Sequence, residues 1–139
     1  MICLPDTNVI VAAVRSPQGA SAEILRRVLA GRLSALCSVP LFLEYEAMLS
    51  RPEQLQAAGV TVADVSNLLD VLAGKVERVD IAYLWRPQLR DAADDMVLEA
   101  AVNGRAATIL TFNQRDFLPQ TQNFGIAVLT PAQFFQGAK

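Results

Sequence analysis

The sequence feature that most constrains the fold is a set of short apolar runs that do not alternate with polar residues. These runs lie at residues 2–4, 33–37, 107–111 and 126–129, and a weaker candidate strand lies at 76–81. Successive side chains of a strand point to opposite faces of a sheet, so strands of this composition are buried on both faces. Segments with helical spacing of apolar residues separate the runs. The pattern therefore predicts an α/β fold in which helices cover both faces of a parallel sheet.

Helix starts are predicted from capping residues, and helix ends from Gly or Pro. Thr7 and Asn8 stand in the first turn of a helix that continues over residues 9–14. Ser21 is the predicted N-cap of a helix over 22–30. At 139 residues the chain suits a single domain, residues 1–139. Further helices are predicted at about 38–50, 53–58, 61–74, 94–103 and from 130 onward, with a polar turn or short helix at 113–118.

Histidine is absent from the chain. This excludes Ser-His-Asp and Cys-His nucleophilic sites and His metal ligands, so carboxylates become the main candidates for chemistry. Cys3 and Cys37 lie in apolar runs and are expected to be core residues rather than a disulfide or a zinc site. Asp6 and Asn8 interrupt the amino-terminal apolar run, and no membrane-length apolar stretch follows. We therefore expect a cytoplasmic protein that does not contact a membrane.

Four acidic side chains stand at comparable points of this pattern. Asp6 follows the first strand, and Glu44 lies in the helix after the second. Asp95 is in the first turn of the helix before the fourth strand, and Asp116 is in the turn after that strand. Ligands of parallel α/β sheets bind at the carboxyl ends of the strands, where Asp6 is expected to lie. If the four carboxylates converge, they form a concentrated negative site.

A cluster of carboxylates predicts a bound cation. Like charges at short range raise one another's pKa and destabilise the fold unless a cation joins them. Oxygen ligands suit the hard cations Mg²⁺ and Mn²⁺, and magnesium is commonly held by a few carboxylates, water and substrate phosphate. The chemistry so implied is metal-assisted attack of water on a phosphodiester.

Each acid also has a purely structural interpretation. Asp6 could cap the following helix, and Asp94 and Asp95 could complement a helix dipole. Asp116 could be a turn residue. Glu44 and Glu46 lie at opposite edges of the apolar stripe of their helix, so periodicity does not choose between them.

Four segments nevertheless resemble one known family, the PIN-domain proteins related to the VapC toxins of toxin-antitoxin systems. The resemblance covers nearly the whole chain in the right order. It is carried by LPDTNVIVAA at 4–13, SVPLFLEYEAMLSRP at 38–52, RDAADDMVLEAA at 90–101 and ILTFNQRDF at 109–117.

The resemblance implies a three-layer α/β/α fold and an endoribonuclease that uses Mg²⁺ or Mn²⁺. It also implies a cognate antitoxin as partner and self-association into a homodimer or a higher oligomer. Many members carry Asp where this chain has Asn113, which lowers the charge available for a second metal. Within the resemblance Glu44, rather than Glu46, takes the acidic place. The catalytic and metal-binding residues would be Asp6, Glu44, Asp95 and Asp116, with Thr7, Asn8, Asp94 and Asn113 in supporting roles.

The charge balance is compatible with RNA as substrate. The chain has 12 basic and 14 acidic side chains, and without the four candidate acids the basic ones outnumber the remaining ten. Arg115 beside the site, and Arg15 and Arg51 at helix-to-loop exits, are the candidate phosphate-binding residues.

Two other functions stay open at this point. One is a catalytically degenerate PIN scaffold that binds only RNA or an antitoxin, although all four acids are intact. The other is a phosphatase like the haloacid dehalogenases, with Asp6 as nucleophile. Such a site requires a second aspartate where this chain has Asn8.

Overall fold

The computed structural model describes residues 2–80, 89 and 92–137, and they form an α/β fold around a parallel sheet. The strand order is β3-β2-β1-β4-β5, and each neighbouring pair is parallel. The predicted fold class is thus confirmed. The strands are β1 Ile2–Pro5, β2 Ser34–Cys37, β3 Glu77–Arg78, β4 Thr108–Leu110 and β5 Ala127–Leu129.

Helices connect the strands and cover both faces of the sheet. Cys3 and Leu4 are neighbours in β1 and point to opposite faces, yet both are fully buried, so neither face of the central strand meets solvent. This is the three-layer arrangement that the sequence resemblance implied. The helices are α1 Thr7–Arg15, α2 Ala20–Leu29, α3 Val39–Leu49, α4 Pro52–Ala58, α5 Val62–Ala73, α6 Ala92–Gly104 and α7 Pro131–Gly137.

The order of the strands reverses at the centre of the sheet. From β1 the chain moves outward through β2 to β3, and it then returns to add β4 on the other side of β1. A crevice forms at the carboxyl ends of strands where successive connections diverge in this way. The residues that follow β1 and β4 therefore border the position where such folds bind ligands.

Most predicted helix starts are confirmed, but the cap of α2 is not. The Ser38 hydroxyl accepts a hydrogen bond from the Leu41 amide (3.3 Å), and Thr61 and Asp64 form a reciprocal capping box. Ser21, however, lies inside the first turn of α2 and is buried, while Gly19 is the N-cap. The Gly19 amide closes a turn onto the Ser16 carbonyl (3.0 Å), and this turn starts the helix two residues earlier.

Four of the five strands are shorter than the segments that predicted them, and β1 is one residue longer. β3 has only two residues of the run predicted at 76–81, and Ile81 lies outside the described residues. Arg90 and Asp91 of the 90–101 segment also lie outside them. The polar turn predicted at 113–118 contains a 3₁₀ helix, Gln114–Asp116, whereas a second one at Gln120–Phe124 was not predicted.

Both cysteines are core residues, as predicted. Cys3 and Cys37 are free thiols with 0% and 3% exposure. Burial raises the pKa of each thiol to about 12, so both stay protonated and have little nucleophilic character.

Candidate active site

The candidate site lies where β1 and β4 end side by side. Asp6 is the N-cap of α1, and its amide donates a hydrogen bond to the Leu110 carbonyl of β4 (2.8 Å). Thr111 directly follows β4, and its amide donates to Leu129 of β5 (3.0 Å). The sheet therefore places the side chains of Asp6 and Thr111, which are 105 residues apart in the sequence, in direct contact.

Each oxygen of the Asp6 carboxylate accepts one hydrogen bond. Oδ1 accepts from the Thr7 amide (2.8 Å), and Oδ2 accepts from the Thr111 hydroxyl (2.8 Å). The side chain is held in one orientation, and the residue is only 7% exposed. Asp6 is thus both a helix cap and a member of the candidate site, so the two interpretations of this residue are not exclusive.

The pKa of Asp6 is raised above its usual value. Burial is the main cause, and the negative charge of Asp116 adds to it, while the hydrogen bonds from Thr111 and Thr7 oppose the rise. The charge of Asp116, on the turn after β4, is therefore near enough to act on Asp6. Ionised Asp6 is therefore a buried anion beside a second anion, which is the situation that a bound cation would relieve.

Thr111 connects the residues around Asp6, and the sequence analysis missed it. Its hydroxyl donates to Asp6 and accepts from the Asn113 amide (3.0 Å) and from the side-chain amide of Asn8 (3.4 Å). Its position in the sequence is the signal that could have revealed it. Thr111 is a polar residue directly after a buried strand, and Asp6 stands at the same point after another strand.

Thr7 and Asn8 support Asp6 by different routes. Thr7 acts through its backbone amide, while its own hydroxyl is buried and has no hydrogen-bond partner within the described residues. Asn8 acts through Thr111 and also accepts a hydrogen bond from the Phe112 amide (3.4 Å). Asn8 therefore connects α1 to the loop after β4.

Asn113, Arg115 and Asp116 are exposed on the turn after β4. The turn is closed by a hydrogen bond from the Asp116 amide to the Asn113 carbonyl (3.0 Å). Gln114 anchors it by donating to the Val128 carbonyl and to the Gln133 side chain, both at 2.9 Å. These contacts fix the turn that carries Asp116 against the end of β5.

Asp95 and Asp94 occupy the first turn of α6. Asp95 is only 3% exposed and accepts a hydrogen bond from the Leu89 amide (2.9 Å). Asp94 is half-buried. Asp95 therefore has a structural function at the start of α6, whatever else it binds.

Glu44 is half-buried on α3. The next residue, Tyr45, is buried and donates its hydroxyl to the carbonyl of Pro5, directly before Asp6. This bond ties the helix that carries Glu44 to the end of β1. In the described ranges no three Asp, Glu, Cys or His side chains form a group that could hold a metal ion. The electrostatic effect of Asp116 reaches Asp6, and ligation of a cation by Asp6, Glu44, Asp95 and Asp116 stays a prediction.

The other two candidate arginines lie away from Asp6. Arg15 is in the last turn of α1, about 13 Å along the helix axis from Asp6. It donates to the side chain of buried Gln54, which in turn donates to the Val11 carbonyl (3.2 Å). Arg51 is the exposed N-cap of α4. Of the three arginines, only Arg115 shares a turn with a candidate site acid.

These features define a class of protein, a parallel α/β domain with a buried, hydrogen-bonded carboxylate at the reversal of its strand order. A family model of the PIN domain matches residues 3–115, and the chain belongs to this family. The match favours the PIN interpretation of the sequence over the dehalogenase-like one.

Comparison with solved structures supports the same fold. A chain of the crystal structure of VapBC2 from Rickettsia felis bound to a DNA fragment from their promoter superposes with a TM-score of 0.60. The alignment covers 93% of this chain and 97% of that chain at 15% sequence identity. None of the curated proteins compared with the chain matches it significantly. Among the described residues, no helix is long and apolar enough to cross a membrane.

Proposed function

We propose that this chain is an endoribonuclease that depends on Mg²⁺ or Mn²⁺ and acts as the toxin of a toxin-antitoxin pair. The observation that carries the proposal is the buried carboxylate of Asp6 at the reversal of the strand order, where Thr111 orients it and the charge of Asp116 raises its pKa. PIN domains are generally nucleases, and they typically use a divalent metal. The four intact acids argue against a degenerate scaffold.

The residues present fit a hard divalent cation. The site offers carboxylate oxygens and no sulfur or imidazole, which matches the ligand preference of Mg²⁺ and Mn²⁺. The ion pairs found in the described part of the chain involve Glu23 and Asp80, so none of them neutralises Asp6 or Asp116. Asp6 and Asp116 would hold the cation, with Glu44 and Asp95 as the further expected ligands.

When bound, the cation would supply Lewis-acid activation of the attacking water and of the phosphodiester. The chain's own residues keep the carboxylates in place. Thr111 and the Thr7 amide fix both oxygens of Asp6, and Asn8 supports Thr111. Arg115 is exposed beside Asp116 and would contact a substrate phosphate, with Asn113 as a polar neighbour.

Purified protein should cleave single-stranded RNA with Mg²⁺ or Mn²⁺ and should not cleave it in EDTA. The products should carry a 5′-phosphate and a 3′-hydroxyl, because water rather than the ribose 2′-hydroxyl attacks. Gel separation of end-labelled RNA before and after phosphatase treatment identifies the ends. Cleavage that persists in EDTA would contradict the metal mechanism, and lack of cleavage with either metal would favour the scaffold.

A toxin that acts inside its own cell requires a partner that blocks its active site, so the proposal includes a cognate antitoxin. It also includes self-association of this chain. The crevice is negative, so the antitoxin would place a basic side chain over Asp6 and Asp116. Expression of this chain alone should slow growth, and co-expression of a small protein encoded directly upstream should restore it. Growth curves of the two strains test this, and equal growth in both would contradict the toxin role.

A further inference from the structure

A groove of about 410 Å³ adjoins the candidate site. It runs from the loop after β4, past the carboxyl-terminal half of α1 and the turn into α2, to the start of α7. None of its lining residues is charged, and most are small. The lining comprises Ala12, Ser16, Gly19, Ala20, Ser21, Phe112, Thr130, Pro131 and Ala132.

Phe112 lies at the junction of this groove and the site. It is the residue after Thr111, and its amide donates to the Asn8 side chain (3.4 Å), which also contacts Thr111. Backbone contacts thus hold Phe112 close to Asp6. Its side chain lines the groove, and the residue is 49% exposed. The most exposed aromatic ring beside the site is therefore at a fixed position and not covered by the core.

We propose that this groove binds a nucleobase of the RNA substrate next to the phosphodiester that is cleaved, and that Phe112 supplies the surface on which the base stacks. The inference rests on the proposed function, because it takes single-stranded RNA as the substrate. Aromatic side chains are the usual platforms for unpaired bases, and stacking tolerates any base because each has a π-face.

The lining favours an uncharged ligand over a charged peptide. None of its side chains is charged, so it offers no Lys or Arg to an anion and no Asp or Glu to a cation. Its volume falls in the range of about 300–1,000 Å³ that small-molecule sites occupy. Uncharged polar residues, Ser16 and Thr130, stand among the small apolar ones and suit the polar edge of a base. Phe112 directly follows Thr111, so an RNA strand bound at Asp6 would have its neighbouring base within reach of the groove, and a side chain of a protein partner is the other occupant that the test below distinguishes.

The test uses single-stranded RNA that contains 2-aminopurine, whose fluorescence is quenched by stacking, with Ca²⁺ in place of Mg²⁺. Parent protein should quench the probe, and Phe112→Ala should weaken RNA affinity by about tenfold and remove most of the quenching. Phe112→Trp should retain both effects. Phe112→Leu should resemble Phe112→Ala, because it keeps an apolar side chain but has no ring. Leu118→Ala is the matched control, since Leu118 is 39% exposed near the same turn and does not line the groove.

A second measurement separates this inference from the proposed function. The substrate is an RNA in which the ribose beside the cleaved bond lacks its base, and cleavage is measured with Mg²⁺. This abasic RNA should lower kcat/KM of the parent protein about as much as Phe112→Ala lowers it on intact RNA. The variant should lose little more activity on the abasic RNA, because both changes remove the same stacking contact. If cleavage and quenching do not depend on Phe112, the base site is wrong, although the proposed nuclease function stands. The groove would then be assigned to a protein partner. Quenching that depends on Phe112 without any cleavage would support the base site and contradict the nuclease.

Discussion

Replacement of Asp6 by Asn should lower RNA cleavage about a hundredfold or more while leaving the protein folded and more stable at neutral pH. The Asn side chain has nearly the shape of the Asp carboxylate, so it can keep both hydrogen bonds. Its oxygen can accept from the Thr7 amide, and its NH₂ group can donate to the Thr111 hydroxyl, because a hydroxyl can accept as well as donate. The Asn side chain has no charge, however, and so cannot serve as an anionic ligand. Loss of activity together with a gain in stability would separate a functional residue from a purely structural cap.

The gain in stability should depend on pH in metal-free buffer. Burial raises the pKa of folded Asp6 above its usual 3.8, so its protonated form is favoured in the folded state. The parent therefore loses stability as pH rises through the folded pKa, whereas the Asn variant does not. Urea melts in EDTA should show the Asn variant more stable than the parent at pH 7, and the difference should shrink as pH falls through the folded pKa of Asp6 and vanish near its ordinary value of 3.8. Asp70→Asn removes an equal charge from an exposed position of α5 and serves as control.

Addition of Mn²⁺ should raise the midpoint of thermal unfolding by several degrees. A ligand that binds only the folded state stabilises it by about 2.7 kcal/mol at a hundredfold excess over Kd. For a chain of 139 residues this corresponds to about 9 °C. Asp6→Asn and Asp116→Asn should each reduce the shift, and Asp70→Asn should not. A midpoint that does not respond to Mn²⁺ would contradict a metal site between Asp6 and Asp116.

The same melts decide the function of Asp95. Without metal, Asp95→Asn should lower stability by about 1 kcal/mol, because it weakens the bond to the Leu89 amide and the favourable charge at the start of α6. If Asp95 also binds the cation, the variant should gain less from Mn²⁺ than the parent does. An unchanged response would remove Asp95 from the ligand set and leave it as a structural residue.

The sequence was sufficient to predict features that depend on local chemistry. The run before Asp6 predicted a buried strand, and the pattern over 61–74 predicted helix α5, because neighbouring residues determine both. It failed at Ser21, where a turn closed by Gly19 determines the start of the helix. It also missed Thr111, whose importance arises only when β4 pairs with β1. Contacts between distant parts of the chain have no local pattern, and those contacts determine how the candidate site is completed.

The pairing of β1 with β4 also determines when during synthesis the protein becomes competent. Asp6 precedes α1, but the hydroxyl that orients it belongs to Thr111, which follows β4 and is synthesised much later. The contact between them spans 105 residues, and contacts of such long range form late because a large loop must close first. A nascent or truncated chain that ends before β4 contains Asp6 but lacks both Thr111 and Asp116. The order of the strands thus delays assembly of the site until β4 and the turn after it have been synthesised.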